Sequence, residues 1–241
     1  MMKRFLFLVV LFLDAKANYI CSKSLDILFA VDVSGSIDGT QFDQTQQFLS
    51  DLVEKFTIQS HAARIGVFAF DHLPHFSKVS NLDHPGTVSL AGVKEQIANL
   101  TFTQGATLIN VGLVEAGNVF NHSSVRDNVS RVVVFLTDGV NYRGSESLVQ
   151  HANDLRTIFN ARIISLGIGA ENIVDEEALN VLVGPGKPHQ IILLDFKKKS
   201  CSNDDEDGSD EEGEGPDDES GSSDEESCVT KLDQAASLIC A

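Results

Sequence analysis

Leu25-Asp26-Ile27-Leu28-Phe29-Ala30-Val31 runs without a break into Asp32-Val33-Ser34-Gly35-Ser36. The first stretch is almost continuously apolar, which predicts a strand buried in a parallel sheet. The second stretch places one carboxylate and two hydroxyls on a turn that Gly35 loosens. These polar side chains do not suit a hydrophobic core, but they offer the small oxygen ligands that Mg²⁺ prefers. The two stretches together predict a buried strand that ends in ligands for a hard cation.

Two further polar turns lie downstream at strand-like boundaries. Residues 105–110 contain Thr107, and the apolar residues 132–136 lead into Thr137-Asp138-Gly139. With the first turn they predict one oxygen-only site for Mg²⁺ or Mn²⁺, assembled from three loops. The structural alternative is that the two serines cap the first helix and the second aspartate starts a turn.

Apolar strand runs alternate with segments of helical periodicity, which is typical of a parallel sheet covered on both faces. Six strands with crossover helices predict a doubly wound α/β fold with a mostly parallel sheet. The strands are predicted at residues 25–31, 64–70, 75–79, 131–137, 161–168 and 190–194, the third being a short edge strand. The helices are predicted at residues 42–56, 93–100, 111–120, 148–159, 175–183 and 229–239, with Asp38 or Thr40 capping the first.

The first 17 residues have the pattern of a secretory signal peptide. Lys3 and Arg4 precede an apolar stretch too short to span a bilayer, and Ala15-Lys16-Ala17 offers a small-x-small cleavage site. No later apolar run is long enough for a membrane helix. We therefore expect a secreted, soluble protein without a membrane span, whose mature chain begins near Asn18.

The negative charge is concentrated in one segment. Residues 202–227 contain 14 Asp or Glu and no Lys or Arg, whereas the rest of the mature chain has 20 acids and 15 bases. No basic stripe is available to neutralise phosphates, so nucleic acid is not expected as a partner. A segment this long and this acidic is predicted to be a disordered insertion before the last helix.

All four cysteines, Cys21, Cys201, Cys228 and Cys240, lie outside the patterned middle of the chain. An even number in an exported chain indicates disulfides, and four cysteines allow three pairings. Free buried thiols and zinc ligation are the alternatives. Three Asn-x-Ser/Thr sequons mark Asn99, Asn121 and Asn128 as candidate glycosylation sites.

The ordered motifs resemble those of the von Willebrand factor type A domain, also called the integrin I-like domain. Residues 32–36 resemble that family's Asp-x-Ser-x-Ser motif, Thr107 falls where the family has its metal-site threonine, and residues 135–139 resemble its final aspartate loop. Residues 64–67, 165–169 and 195–196 also follow the family's order and spacing. The resemblance covers residues 18–241 as one domain, except for the acidic insertion at 202–227.

The resemblance implies a metal-ion-dependent adhesion site (MIDAS). Ser34 and Ser36 would bind the ion directly, and Thr107 directly or through water. Asp32 and Asp138 would hold the coordinating waters and orient the hydroxyls. Because hydroxyls are neutral, the cation would still attract a carboxylate from a partner. The implied function is a secreted, non-enzymatic adhesion module of the extracellular matrix that binds an acidic protein ligand of a matrix or collagen-like kind.

The acidic insertion interrupts the family pattern between the last strand and the last helix. We expect a Cys201–Cys228 disulfide to close its neck, and a Cys21–Cys240 disulfide to join the start of the first strand to the end of the last helix. The insertion is interpreted as a tethered competitor for the metal site, as a solvated spacer, or as a low-affinity Ca²⁺ binder. The last interpretation leads to the alternative function, an acidic calcium-binding, biomineral-associated matrix protein that uses the domain as its anchor.

No enzyme class fits the remaining motifs. A phosphotransferase would usually need a second nearby carboxylate or a phosphate-cradling Gly-Lys loop, and neither occurs in the stretch of sequence around Asp32. The seven histidines do not have zinc-hydrolase spacing, and no Ser-His-Asp elbow occurs.

Overall fold

The computed structural model describes residues 19–76, 81–140, 145–169, 174–186, 191–195 and 226–241. The strands are β1 (Leu25–Asp32), β2 (Ala63–Phe70), β3 (Pro74–Phe76), β4 (Ser130–Thr137), β5 (Ala161–Ile168) and β6 (Ile191–Leu194). The helices are α1 (Gly39–Val53), α2 (Leu90–Ala98), α3 (Ile109–Asn121), α4 (Ser145–Thr157), α5 (Glu176–Val183) and α6 (Glu226–Cys240), and a short 3₁₀ turn spans Pro85–Thr87.

The six strands form one sheet in the order β3-β2-β1-β4-β5-β6. β1 pairs in parallel with β2 on one side and with β4 on the other, and only β3 is antiparallel to its neighbour. The predicted doubly wound, mostly parallel six-stranded fold is therefore confirmed. Since the strand order reverses at β1, the carboxyl end of this strand is the topological switch point, where open α/β sheets bind their ligands.

Helices cover both faces of the sheet because the strands bury side chains on both faces. All eight residues of β1 are buried, as the almost continuously apolar sequence of this strand predicts. Ile27, Phe29 and Val31 share one core with residues of α1, α2 and α6. Leu28 and Ala30 share the other core with residues of α3, α4 and α5.

Element boundaries differ from the predicted ones mainly at helix ends. α1 begins at Gly39, and Asp38 caps it by accepting a hydrogen bond from the Gln41 N–H at 2.8 Å. The cap is therefore Asp38, and neither Thr40 nor the two serines of the first turn. α2 begins three residues earlier than predicted, at Leu90, because Ser89 caps it through the Gly92 N–H.

The last helix begins at Glu226 rather than at Val229, so the final two residues of the predicted insertion at 202–227 are helical. The remainder of the insertion lies outside the described residues, as does the predicted signal peptide at 1–17, and both stay predictions. Residues 77–79 of the predicted edge strand and residue 190 of the predicted last strand also lie outside the described residues. In the described part of the chain, no helix combines the length and the apolar character needed to cross a membrane.

The C-terminal end of α6 is attached to the end of the sheet where the strands begin. Cys21 and Cys240 form a disulfide, which is the pairing preferred from the sequence. Arg162 of β5 donates to the carbonyl oxygens of Leu238 and Ile239 at 2.8 and 2.6 Å. These contacts satisfy carbonyls that a helix end leaves unpaired. The predicted Cys201–Cys228 pair includes a residue outside the described ones and stays a prediction.

One buried hydroxyl in the sheet opposes stability. Ser165 of β5 is fully buried, and its hydroxyl has no hydrogen-bond partner in the described part of the chain. We expect Ser165→Ala to raise the free energy of unfolding by about 1 kcal/mol, because it removes an uncompensated desolvation cost with little change in volume. Urea unfolding followed by circular dichroism measures the change.

The matched control is Thr87→Val, which removes a buried hydroxyl that does have partners. The Thr87 hydroxyl donates to the carbonyl oxygens of Leu82 and His84, each at 2.7 Å. This variant is expected to lose about 1 kcal/mol of stability. A loss of stability in both variants would contradict the prediction for Ser165.

Candidate metal centre

The five predicted metal residues come from three chain segments that meet at the carboxyl end of β1. Asp32 is the last residue of β1, Asp138 directly follows β4, and Thr107 lies two residues before α3. β1 and β4 are adjacent in the sheet, with Val31 opposite Leu136, so their carboxyl ends lie side by side. The topology thus brings all three predicted turns to the switch point of the sheet.

Three hydroxyl oxygens form a triangle at this edge. Thr107 Oγ1 donates to Ser34 Oγ at 2.6 Å, Ser34 Oγ lies 3.1 Å from Ser36 Oγ, and Ser36 Oγ lies 3.4 Å from Thr107 Oγ1. Adjacent ligand oxygens around an octahedral Mg²⁺ are about 2.9 Å apart at its usual bond length. The three separations fall on both sides of that value, so the triangle fits one face of a hard cation's coordination shell.

The backbone of the first turn is attached to the loop that carries Thr107. The Gly35 N–H donates to the Gly105 carbonyl at 2.9 Å, and the Gln104 N–H donates to the Val33 carbonyl at 2.9 Å. A Cβ at Gly35 would lie 3.1 Å from the Gln104 carbonyl oxygen, closer than most real contacts of this kind. Glycine at position 35 therefore lets the two backbones approach closely enough for their hydroxyls to meet.

The Asp32 carboxylate is buried and accepts hydrogen bonds from Ser34 and Thr137. Its Oδ1 accepts the Ser34 N–H at 2.9 Å, and its Oδ2 accepts the Thr137 hydroxyl at 2.6 Å. The residue is only 1% exposed. Burial raises the pKa of Asp32 to about 7, although both hydrogen bonds favour the charged form.

Asp138 is the second buried carboxylate of the site and is 3% exposed. Burial raises the pKa of this carboxyl above its ordinary value, and the negative charge of Asp175 acts in the same direction. Hydrogen bonds from the Ser36 hydroxyl and the Val140 N–H lower it in part. The bond from Val140 N–H to Asp138 Oδ1 measures 3.0 Å.

The turn after β4 requires glycine. Gly139 has a φ of +81°, and a Cβ there would lie 2.6 Å from the Asp175 carbonyl oxygen. The Asp175 N–H in turn donates to the Asp138 carbonyl at 2.8 Å, and the Gly139 N–H donates to the Thr137 hydroxyl at 3.1 Å. This packing fixes the direction in which the Asp138 side chain leaves the backbone.

The donor set fits a divalent hard cation. Among the described residues, neither Asp32 nor Asp138 forms an ion pair with a lysine, arginine or histidine. Two buried carboxylates next to three converging hydroxyls therefore lack a positive charge from the described protein groups, and buried charges are normally paired or bound to metal. Ser34 and Thr107 are buried whereas Ser36 is exposed, so the group is open to solvent on one side.

Three residues that support the site have no role in the sequence-based prediction. Thr137 holds Asp32, and Asp71 and Thr103 hold the loop that carries Thr107. Thr137 precedes the predicted aspartate, and Asp71 follows β2 as a polar residue directly after a buried strand. The sequence signal that could have identified Asp71 is the one that identified Asp32, namely a carboxylate where an apolar run ends.

The candidate glycosylation sites are separate from the metal centre. Asn99, Asn121 and Asn128 are all exposed. Asn121 is the last residue of α3, and Asn128 precedes β4, so both lie towards the end of the sheet opposite the metal residues. Asn99 follows α2 and donates through Nδ2 to the Glu95 carbonyl at 2.8 Å. Their modification stays a prediction.

Fold and site together define a doubly wound α/β domain with oxygen-bearing side chains gathered at its switch point. The model of the von Willebrand factor type A domain family matches residues 26–201. The chain belongs to this family, and the resemblance inferred from its motifs is confirmed.

Two relatives from mouse are similar to most of this chain. Sushi, von Willebrand factor type A, EGF and pentraxin domain-containing protein 1 is 27% identical over 182 residues, covering 73% of this chain and 5% of that protein. Collagen alpha-5(VI) chain is 27% identical over 165 residues, covering 65% of this chain and 6% of that protein. This chain therefore corresponds to a small part of these relatives.

Two solved structures are similar in fold. Proximal thread matrix protein 1 from the mussel byssus, with a zinc-occupied MIDAS motif, has a TM-score of 0.63 and 20% identity, and the match covers 73% of this chain and 45% of that one. Manganese-loaded TRAP protein from Plasmodium vivax has a TM-score of 0.61 and 20% identity, and the match covers 74% of this chain and 71% of that one. At these identities the likeness shows the shared fold.

Proposed function

We propose that this protein is a non-enzymatic extracellular binding module that holds a carboxylate of a protein partner through Mg²⁺ or Mn²⁺. The ion would be held by Asp32, Ser34, Ser36, Thr107 and Asp138. The observation that carries the proposal is the triangle of hydroxyls placed next to two buried carboxylates without a positive partner among the described residues. When bound, the cation supplies a Lewis-acidic position for one more anionic oxygen.

The hydroxyls and the carboxylates of the site would have different roles in holding such an ion. The Ser34, Ser36 and Thr107 hydroxyls are neutral, so they orient an ion without cancelling its charge. Asp32 and Asp138 would supply negative charge and orient the hydroxyls and any coordinating water. A cation in this setting keeps a net attraction for a partner's carboxylate, which is strongest where water is partly excluded.

The surroundings of the site suit contact with a protein. Leu73, in the turn after β2, is 55% exposed, and Val140, just after Asp138, is 43% exposed. These turns lie on opposite sides of β1, because β2 and β4 flank it in the sheet. A partner whose carboxylate reaches the ion would bury apolar surface on either side, which adds affinity to the ionic contact.

The comparisons support a matrix setting and a divalent ion. One structural neighbour is named a matrix protein and has a zinc-occupied MIDAS motif, another is loaded with manganese, and one relative is a collagen chain. The Cys21–Cys240 disulfide favours an oxidising compartment, in agreement with the predicted signal peptide. The alternative function as a calcium-binding, biomineral-associated protein depends on residues 202–227 and stays a prediction.

Capture from a solubilised extracellular-matrix extract tests the proposed function. The immobilised full-length mature chain is expected to retain a defined set of proteins in Mg²⁺ and to lose them in EDTA. The Ser34→Ala/Ser36→Ala variant, which keeps both buried carboxylates, is expected to lose the same set in Mg²⁺. Quantitative mass spectrometry compares the three samples. An identical set of captured proteins in all three would contradict the proposal.

A further inference from the structure

Asp71 is a third buried aspartate at the end of the sheet where the metal residues lie. It directly follows β2, the strand next to β1, and is 1% exposed. The sequence analysis assigned it no role, and it is not one of the five candidate metal residues. Burial of an ionisable group is costly unless it makes compensating hydrogen bonds, so its partners indicate what it does.

The Asp71 side chain binds two neighbouring segments. Its Oδ2 accepts the Thr103 hydroxyl at 2.7 Å, and its Oδ1 accepts the Leu73 N–H at 2.8 Å and lies 3.1 Å from His72 Nδ1. The first contact crosses to the segment before α3, and the other two close the turn after β2. Hydrogen bonds to a charged acceptor are stronger than neutral ones, so this carboxylate joins the two segments firmly.

The backbone of Asp71 binds the same segment a second time. Its carbonyl accepts the Leu108 N–H at 3.1 Å. Residues 103–108, which we call the threonine loop, are therefore held by Asp71 at both ends. Gly105 lies between these ends, and a Cβ at this position would collide with the Asp71 carboxylate. The threonine loop is thus packed directly on Asp71.

The threonine loop carries one of the three hydroxyls of the metal centre. Thr107 Oγ1 donates to Ser34 Oγ at 2.6 Å, and the same loop bonds to the end of β1 through Gln104 and Gly105. We propose that Asp71 is a positioning residue, which holds the threonine loop so that the Thr107 hydroxyl stays at the metal centre. The inference rests on the proposed function, since it assigns Asp71 a role in metal affinity without direct contact with the ion.

Binding of Mn²⁺ alone, measured by isothermal titration calorimetry on the full-length mature chain, tests this role. Asp71→Ala is expected to weaken Mn²⁺ binding by about 10- to 100-fold, the usual effect of losing a group that orients a ligand. Asp71→Asn keeps one acceptor oxygen and is expected to lose less affinity for Mn²⁺ than Asp71→Ala. Asp83→Asn is the matched control, because Asp83 also accepts hydrogen bonds from a side chain and a backbone N–H, but at the far end of β2. Its affinity for Mn²⁺ should equal that of the wild type.

A double-mutant cycle separates a positioning role from general destabilisation. If Asp71 acts through Thr107, Asp71→Ala should have little further effect on Mn²⁺ affinity in a Thr107→Ala background. Equal effects of Asp71→Ala in the presence and absence of Thr107 would overturn the inference. So would wild-type affinity in Asp71→Ala.

Hydrogen–deuterium exchange without metal supplies a readout that does not depend on the ion. The Gln104 and Leu108 amides, which donate to Val33 and Asp71, are expected to exchange faster in Asp71→Ala than in Asp83→Asn. Unchanged exchange in the threonine loop would overturn the inference even if Mn²⁺ binds. If the variant exchanges faster but the wild type does not bind Mn²⁺, Asp71 holds the threonine loop without any role in metal binding. That result would overturn the inference about metal affinity together with the proposed function.

Discussion

Asp138→Asn is expected to weaken Mg²⁺ and Mn²⁺ binding by about 100-fold, or roughly 2.7 kcal/mol. The Asn side chain can still accept the Val140 N–H through its Oδ1, so the turn after β4 keeps that hydrogen bond. What the substitution removes is one of the two buried carboxyl groups next to the hydroxyl triangle. Isothermal titration calorimetry with each ion measures the loss, and Asp138→Ala should lose at least as much.

The control for Asp138 is Asp43→Asn, which removes one carboxylate from the exposed side of α1. Its metal affinity should match that of the wild type, because an exposed charge is screened by solvent and salt. Thermal unfolding gives a second measurement. A bound ion raises the melting temperature of the wild type, and the rise should be smaller in Asp138→Asn at the same ion concentration. Equal affinities in Asp43→Asn and Asp138→Asn would remove Asp138 from the site.

The second large effect is expected from the Cys21–Cys240 disulfide. The two residues are 219 positions apart in sequence, so the bond closes nearly the whole described domain into one loop. In the chain-entropy model, a loop of this length contributes about 5 kcal/mol to stability. The Cys21→Ala/Cys240→Ala variant should lose about that much, and alanine suits positions that are only 2% and 6% exposed. Guanidinium unfolding of both proteins measures the difference.

The Cys201→Ala/Cys228→Ala variant serves as the comparison, because it leaves the Cys21–Cys240 bond in place. It should lose less stability than Cys21→Ala/Cys240→Ala, because in the same model the shorter loop between Cys201 and Cys228 contributes about 3.5 kcal/mol. Non-reducing peptide mapping of this variant should recover Cys21 linked to Cys240. A loss below about 1 kcal/mol in Cys21→Ala/Cys240→Ala would contradict the stabilising role of the bond.

Local patterns were sufficient to predict the fold, and together with the family resemblance they predicted the candidate metal residues. The apolar runs at β1 and β4 predicted central strands, and the polar residues where those runs end predicted Asp32 and Asp138 as site residues. The start of α6 was placed three residues late, because the acidic residues before it do not show helical periodicity. Asp71 was missed because a carboxylate after a strand also occurs in ordinary turns, and its hold on Thr103 joins residues 32 positions apart.

The sequence by itself determined the strands, the helices and the oxygen-bearing side chains at their ends, since hydrophobic periodicity and turn chemistry act over a few neighbouring residues. Only the tertiary structure decided that the Thr107 hydroxyl lies 2.6 Å from that of Ser34, which is 73 positions away. Tertiary structure also decided that Asp71 forms hydrogen bonds to both ends of the threonine loop and that burial raises the pKa of Asp32. The physical reason is that such contacts and burial arise when parallel strands align their carboxyl ends at the switch point of the sheet, and no local stretch of sequence contains both partners.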